Sequence, residues 1–107
     1  MPGAADNLFK ALADPTRRAI FERLTRDGDQ TVHALTERAG VSQPMVSKHL
    51  SALKRAKLVR NRRKGRENFY SAHPQALAPL VDWMSYYSRF WHDRFDLLDD
   101  LLKRMDP

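Results

Sequence analysis

Residues 31–57, from Thr31 to Lys57, read TVHALTERAG VSQPMVSKHL SALKRAK. The reading of this stretch decides the fold. Thr31 can cap a short helix whose Val32, Leu35 and Ala39 share one face, because its hydroxyl accepts an N–H left open in the first turn. Gly40 suits the left-handed residue that ends such a helix. Ser42 can cap a second helix, in which Val46, Leu50 and Leu53 are spaced i, i+4, i+7 and point inward together. That helix is expected to end near Ala56 or Lys57. Two short helices joined by Gly40-Val41-Ser42 make a helix-turn-helix over 31–57.

In such a motif the first helix supports the second, and the second can enter the major groove of DNA. The outward face of the second helix carries Gln43, Ser47, Ser51 and Lys54, flanked by Lys48 and Arg55. These are small or hydrogen-bonding side chains and cations, without an acid. Glutamine bonds adenine at two positions, lysine donates to guanine, and serine serves either base. A solvated amphipathic helix with an uninformative polar face accounts for this helix equally well.

Charge separates the two readings. The 107-residue chain has 19 Lys and Arg against 13 Asp and Glu, a net charge of +6. Arg38 to Arg66 holds ten basic residues and no acid, whereas the remainder is net −4. Solvated surfaces normally mix the two signs. A one-sign block over the second helix and the segment after it is the footprint of a phosphate-binding surface.

Working outward, Leu8, Phe9 and Leu12 share a face of a first helix over 5–13, with Asp6 as its N-cap. Asp14-Pro15 reads as a cap followed by proline at the first helical position of a second helix. That helix buries Ile20, Phe21 and Leu24 and stops near Gly28. Downstream, the runs Leu58 to Arg63 and Glu67 to Ala72 flank Lys64-Gly65-Arg66, which predicts a two-stranded hairpin over 58–72. Arg62, Arg63, Lys64 and Arg66 surround its tip and can reach a phosphate backbone or the minor groove.

A turn of helix is expected around Pro74 to Ala78, with Pro79 starting or kinking a long helix over 77–104. Leu77, Met84, Trp91, Leu98 and Met105 repeat every seven residues there, as do Leu80, Tyr87, Arg94 and Leu101. Val81, Phe95 and Leu102 widen the stripe. Six aromatics fall between Trp83 and Phe95, on more than one face. One face can cover the first helix and another can meet the same helix of a second subunit. We favour this dimer core, built on Leu80, Met84, Tyr87, Trp91, Phe95, Leu98 and Leu102, over an aromatic pocket for a small organic effector. The whole, residues 1–107, is expected to be one mainly helical α+β domain.

Asp14-Pro15-Thr16-Arg17, then Val41-Ser42-Gln43-Pro44-Met45-Val46-Ser47-Lys48-His49-Leu50, then Arg63-Lys64-Gly65-Arg66 ahead of Tyr70, resemble the ArsR/SmtB family of bacterial repressors. The resemblance runs from about Leu8 to Leu102. It implies a winged helix-turn-helix homodimer that binds a double-stranded DNA operator, an inverted repeat, and represses transcription. Matched to the family's recognition helix, Gln43, Ser47 and Lys48 would face bases. Ser42, Ser51, Lys54 and Arg55, with Arg62, Arg63, Lys64 and Arg66 of the wing, would hold phosphates. His49 belongs to the same string, but its angle beside Val46 makes it a packing or phosphate residue. The segment Trp83 to Arg94, with Tyr87, Phe90 and Trp91, resembles a branch of the family without metal ligands. Cysteine is absent and the last helix has one histidine, His92, with Asp96 as its only well-placed local partner. No metal and no cofactor are expected.

Several classes fall away. Without cysteine there are no disulfides, thiolate metal sites or Cys nucleophiles. The four glycines are isolated, so no Gly-rich phosphate loop exists, and no catalytic acid–base pair stands out. The longest charge-free stretch, Asn68 to Val81, is too short to span a membrane, and Met1 to Lys10 lacks a secretory pattern. A cytoplasmic, non-enzymatic protein with no membrane partner is expected. Two alternatives to a sequence-specific regulator stay open: a non-specific architectural DNA binder, and a protein-interaction adaptor using the aromatic helix.

Overall fold

The computed structural model describes residues 3–105. In chain order it contains α1 (Ala4–Ala13), α2 (Pro15–Asp27), β1 (Gln30–Thr31), α3 (Val32–Ala39), α4 (Gln43–Arg55), β2 (Val59–Lys64) and β3 (Glu67–Ala72). A 3₁₀ turn (Pro74–Leu77) then leads into α5 (Ala78–Ser85) and α6 (Ser88–Met105).

The caps explain most of the boundaries. Asp14 accepts the Arg17 N–H at 3.0 Å, and Pro15 begins α2 without an N–H to satisfy. Thr31 accepts the Ala34 N–H at 3.1 Å and Ser42 the Met45 N–H at 3.3 Å. Gly40, at φ 72°, ends α3 in the left-handed region that side chains disfavour. The first helix differs from expectation. It starts at Ala4, and Asp6 lies inside its first turn, where the carboxylate accepts the Gly3 N–H at 3.0 Å. An aspartate at the third helical position serves the same orphan donors from within.

The core gathers Leu8 and Ala11 from α1, Ile20, Phe21 and Leu24 from α2, Leu35 from α3, and Val46, Leu50 and Leu53 from α4. Leu58 and Val59 close it from the base of β2. Each fully buried leucine contributes about 1.5–3 kcal/mol of transfer free energy. Phe9 is not part of this set. It remains 44 % exposed and meets Trp83 edge-on, with ring centroids 5.3 Å apart, while Ala11 takes the inward position.

The sheet has three strands, ordered β1-β3-β2, all antiparallel. The expected hairpin is present, with Lys64 opposite Glu67 and Gly65 at φ 63° in the connection. The third strand, Gln30–Thr31, was not expected. An N-cap residue is already extended, so Thr31 can pair with Phe69 while capping α3. Two residues are too few to show any periodicity.

The long last helix is broken. Tyr86 and Tyr87 donate to carbonyls three residues back, Trp83 and Met84, and helical bonding resumes when Trp91 donates to Tyr87. The Ser85 hydroxyl bonds the Asp82 carbonyl, which competes with the backbone ladder. The seven-residue apolar repeat passes through the break, so hydrophobic spacing could not reveal it. Pro79 starts α5 rather than kinking a longer helix. No described helix is long and apolar enough to cross a membrane.

Candidate nucleic-acid interface

Helix α4 divides its residues by face. Val46, Leu50 and Leu53 are fully buried, whereas Gln43, Ser47, Lys48, Ser51, Lys54 and Arg55 are exposed, as is the cap Ser42. Burial of the three apolar residues against α2 and α3 therefore turns one acid-free row of hydrogen-bonding groups to solvent.

His49 lies on the buried side, 5 % exposed, the one buried polar or charged residue among those described. Arg17 of α2 donates from Nε to its Nδ1 at 3.4 Å and from Nη1 to the Ala11 carbonyl at 3.4 Å. The same guanidinium thus touches α1 and α4, and fixes how α4 sits on the α1–α2 corner. His49 packs, in agreement with its angular position beside Val46. The arginine partner was not legible, because it lies 32 residues away in sequence. Asp14, which caps α2, has its carboxyl held below the ordinary aspartate value. The Arg17 N–H on the carboxylate is the main cause, and the neighbouring Arg17 charge adds to it.

The hairpin sorts its cations by pleat. Paired residues of an antiparallel ladder share a face. Asn61 and Tyr70, then Arg63 and Asn68, continue the face on which Val59 enters the core. At its outer end Asn61 donates to Asn68 Oδ1 at 3.1 Å, and Arg63 and Arg66 line the notch beside this pair. Arg62 and Lys64 occupy the other face, with Phe69 and Glu67 opposite them. There Arg62 lies 3.6 Å from Asp29, the residue before β1. Of the four expected wing cations, Arg62 alone has an ion-pair partner among the described residues.

The expected dimer stripe lies on α5 and α6. Met84, Tyr87, Trp91, Phe95, Leu98 and Leu102 are exposed, and no residue from Val81 to Met105 is buried. Leu80 differs, being half-buried against the chain's own core. Trp83, Met84, Tyr87, Phe90 and Trp91 line an apolar groove of about 470 Å³, and Arg94 sits 4.9 Å over the Phe90 ring. His92 lies 3.1 Å from Asp96, and among the described residues no group of three or more metal-ligating side chains assembles.

A capped helix-turn-helix with an exposed acid-free face, followed by a basic hairpin, is the architecture of a winged helix-turn-helix DNA-binding protein. A helix-turn-helix domain family matches residues 12–62. The transcriptional repressor SdpR of Bacillus subtilis is 39 % identical over 79 residues, covering 74 % of this chain and 87 % of SdpR. The solved structure of an ArsR-like transcriptional regulator from Rhodococcus superposes with a TM-score of 0.71 at 30 % identity, covering 92 % of each chain. A solution structure from Mycobacterium bovis, described as a homodimeric winged helix-turn-helix DNA-binding domain and a possible ArsR-family regulator, superposes with a TM-score of 0.64 at 28 % identity. It covers 80 % of this chain and 79 % of its own. The chain belongs to the ArsR/SmtB family of transcriptional regulators, which are DNA-binding proteins and not enzymes.

Proposed function

We propose that this protein is a homodimeric repressor that reads an inverted-repeat operator in the cytoplasm, with residues 1–107 acting as one domain. The observation that carries this reading is the solvent face of α4, where Gln43, Ser47 and Lys48 stand exposed and acid-free beside a fully buried apolar row. Gln43, Ser47 and Lys48 contact base edges. Ser42, Ser51, Lys54 and Arg55 hold phosphates at the rim of the groove. On the wing, Arg63, Lys64 and Arg66 contact the backbone directly, and Arg62 joins them once it leaves Asp29.

The exposed aromatic stripe of α5 and α6 supports the dimer. A chain that leaves Trp91, Phe95 and Leu98 in water has apolar surface to cover, and a second copy presents a matching surface under two-fold symmetry. SdpR is named a repressor and the Mycobacterium bovis domain is described as homodimeric, which agrees with both parts of the reading. Two-fold symmetry sets the two α4 helices about 34 Å apart, one turn of DNA.

Selection from a random duplex pool, followed by fluorescence anisotropy, tests this. An inverted repeat should emerge, and Lys48→Ala should weaken binding to it and relax the preference. Recovery of no repeat would favour a non-specific architectural binder, and a monomer in sedimentation would favour an adaptor role for the aromatic helices.

A further inference from the structure

A cavity of about 770 Å³ opens between α1, the last turn of α4 and the segment that joins β3 to α5. Its size is that of a site for a drug-sized molecule. Ala4, Leu8 and Ala11 of α1, Ala52 and Ala56 at the end of α4, Ala76 of the joining segment and Pro79 of α5 make a mainly apolar lining, to which Asn7 of α1 adds one uncharged polar side chain. The alanines are what leave the space, since larger side chains at these positions would fill it. Three cations reach the same cavity from two elements: Lys10 from α1, and Arg55 and Lys57 from the end of α4. No acid lines it. Among the described residues none of the three cations has a salt-bridge partner. A neighbouring cleft shares Lys57 and Ala76, contains Arg60 and His73, and also lacks an acid.

Lys57 carries a second, independent observation. It has φ 65°, the one described non-glycine residue with a positive φ. It follows the C-cap of α4, the position where glycine is the usual choice because a side chain there is strained. The backbone needs no lysine at this point. Its N–H donates to Lys54 and the next N–H donates to Leu53, bonds that a glycine would make equally well. The backbone bonds therefore give no reason for a lysine here, and Lys57 lines both the cavity and the neighbouring cleft.

From this geometry we infer that the cavity binds a small amphipathic organic anion, an aromatic or alicyclic carboxylate. Its ring would lie on the alanine lining and its carboxylate among Lys10, Arg55 and Lys57. The apolar walls offer a bare inorganic anion nothing to bury, and a neutral ring forgoes the charge-assisted contacts to the cations, so the amphipathic anion is preferred over either. The site is separate from the exposed aromatic groove, and it places an effector between the first helix and the end of the helix that reads DNA. Only that regulatory meaning rests on the proposed repressor role.

The test uses DNA-free full-length protein, so it stands apart from any result on operator binding. Calorimetry and methyl chemical shifts are recorded with naphthalene-2-carboxylate, its neutral carboxamide and inorganic phosphate. The carboxylate should bind once per chain with a Kd on the order of 0.1–1 mM, shifting the methyls of Ala52, Ala56 and Ala76. The carboxamide should bind about tenfold more weakly, and phosphate should not displace the carboxylate. Lys57→Gly relieves the backbone, so the protein should fold at least as stably while binding weakens several-fold. Lys10→Gln should weaken it similarly. Equal binding of the carboxamide, displacement by phosphate, shifts confined to Trp83–Trp91, or unchanged affinity in Lys57→Gly would overturn the proposal.

Discussion

The chain up to β3 and the chain from Val81 onward are both rich in apolar residues, yet they use them in opposite ways. In the first region Leu35, Val46, Leu50, Leu53, Leu58 and Val59 are all 1 % exposed or less. In the second, Trp83, Trp91, Phe95 and Leu98 all remain about half exposed or more. The first region has compact helices and a sheet around one centre, so most of its large apolar side chains find cover within the chain, with Phe9 and Met45 the exceptions. The second is the end of α5 and all of α6; Trp83 meets Phe9 of α1 edge-on, while Leu77 and Leu80, just before it, pack against the core. Hydrophobic periodicity therefore marks a surface that must be covered, and the arrangement of the chain decides whether the cover is internal.

Substitutions in the two regions should break differently. The largest effect is expected at Leu50, where truncation to alanine leaves a cavity in the core and should destabilise the folded protein by about 2–5 kcal/mol. Chemical denaturation should show this independently of protein concentration. Trp91→Ala should instead shift the dimer equilibrium by about 2 kcal/mol or more, as central interface aromatics do. Sedimentation should show more monomer, while the unfolding of the isolated chain changes little. If Trp91→Ala unfolds the chain as Leu50→Ala does, the contrast between the regions is wrong.

A second set sharpens the contrast within the DNA-reading region. Lys48→Ala should cost about 1–3 kcal/mol at the preferred operator and relax preference there. Arg66→Ala should weaken all duplexes alike and lower the salt slope by about one. Both are read by anisotropy at several salt concentrations. Asp14 links stability to acidity. Its carboxyl titrates below the ordinary aspartate value in the folded state, so its contribution is present above that value and lost as pH falls through the lower, folded one. Thermal melts below about pH 4 should therefore decline less steeply in Asp14→Ala, from a lower starting Tm at neutral pH. The smallest effect is expected from Asp29→Asn. It releases Arg62 from an exposed ion pair and should tighten DNA binding by less than about 1 kcal/mol.

Much of the DNA-reading region was legible because its signals are local. Asp14, Thr31 and Ser42 act through bonds to residues three positions away, Pro15 and Gly40 through their own backbone angles, and the structure places each where its chemistry suggests. The division of α4 into a buried row and an acid-free row follows from helical spacing alone. The cation sorting on the wing was not legible, since Arg62 meets Asp29 only because β1 joins the sheet beside β3. Nor was the Arg17–His49 bond, or the break at Tyr86–Tyr87, which the apolar repeat spans without a change of phase. The residues missed at the cavity, Lys10 and Lys57, gave a signal only as members of a basic composition.

The sequence by itself determined the helix-turn-helix, the basic wing, the sign and place of the charge, and the family. These depend on caps, turns and periodicities that act over a few residues, where chain connectivity supplies the neighbours. Only the tertiary structure decided which cations stay unpaired, that a two-residue strand completes the sheet, where the last helix breaks, and that alanines of three segments enclose a cationic cavity. Those features depend on approaches between residues far apart in the chain, and such distances exist only after the core has packed.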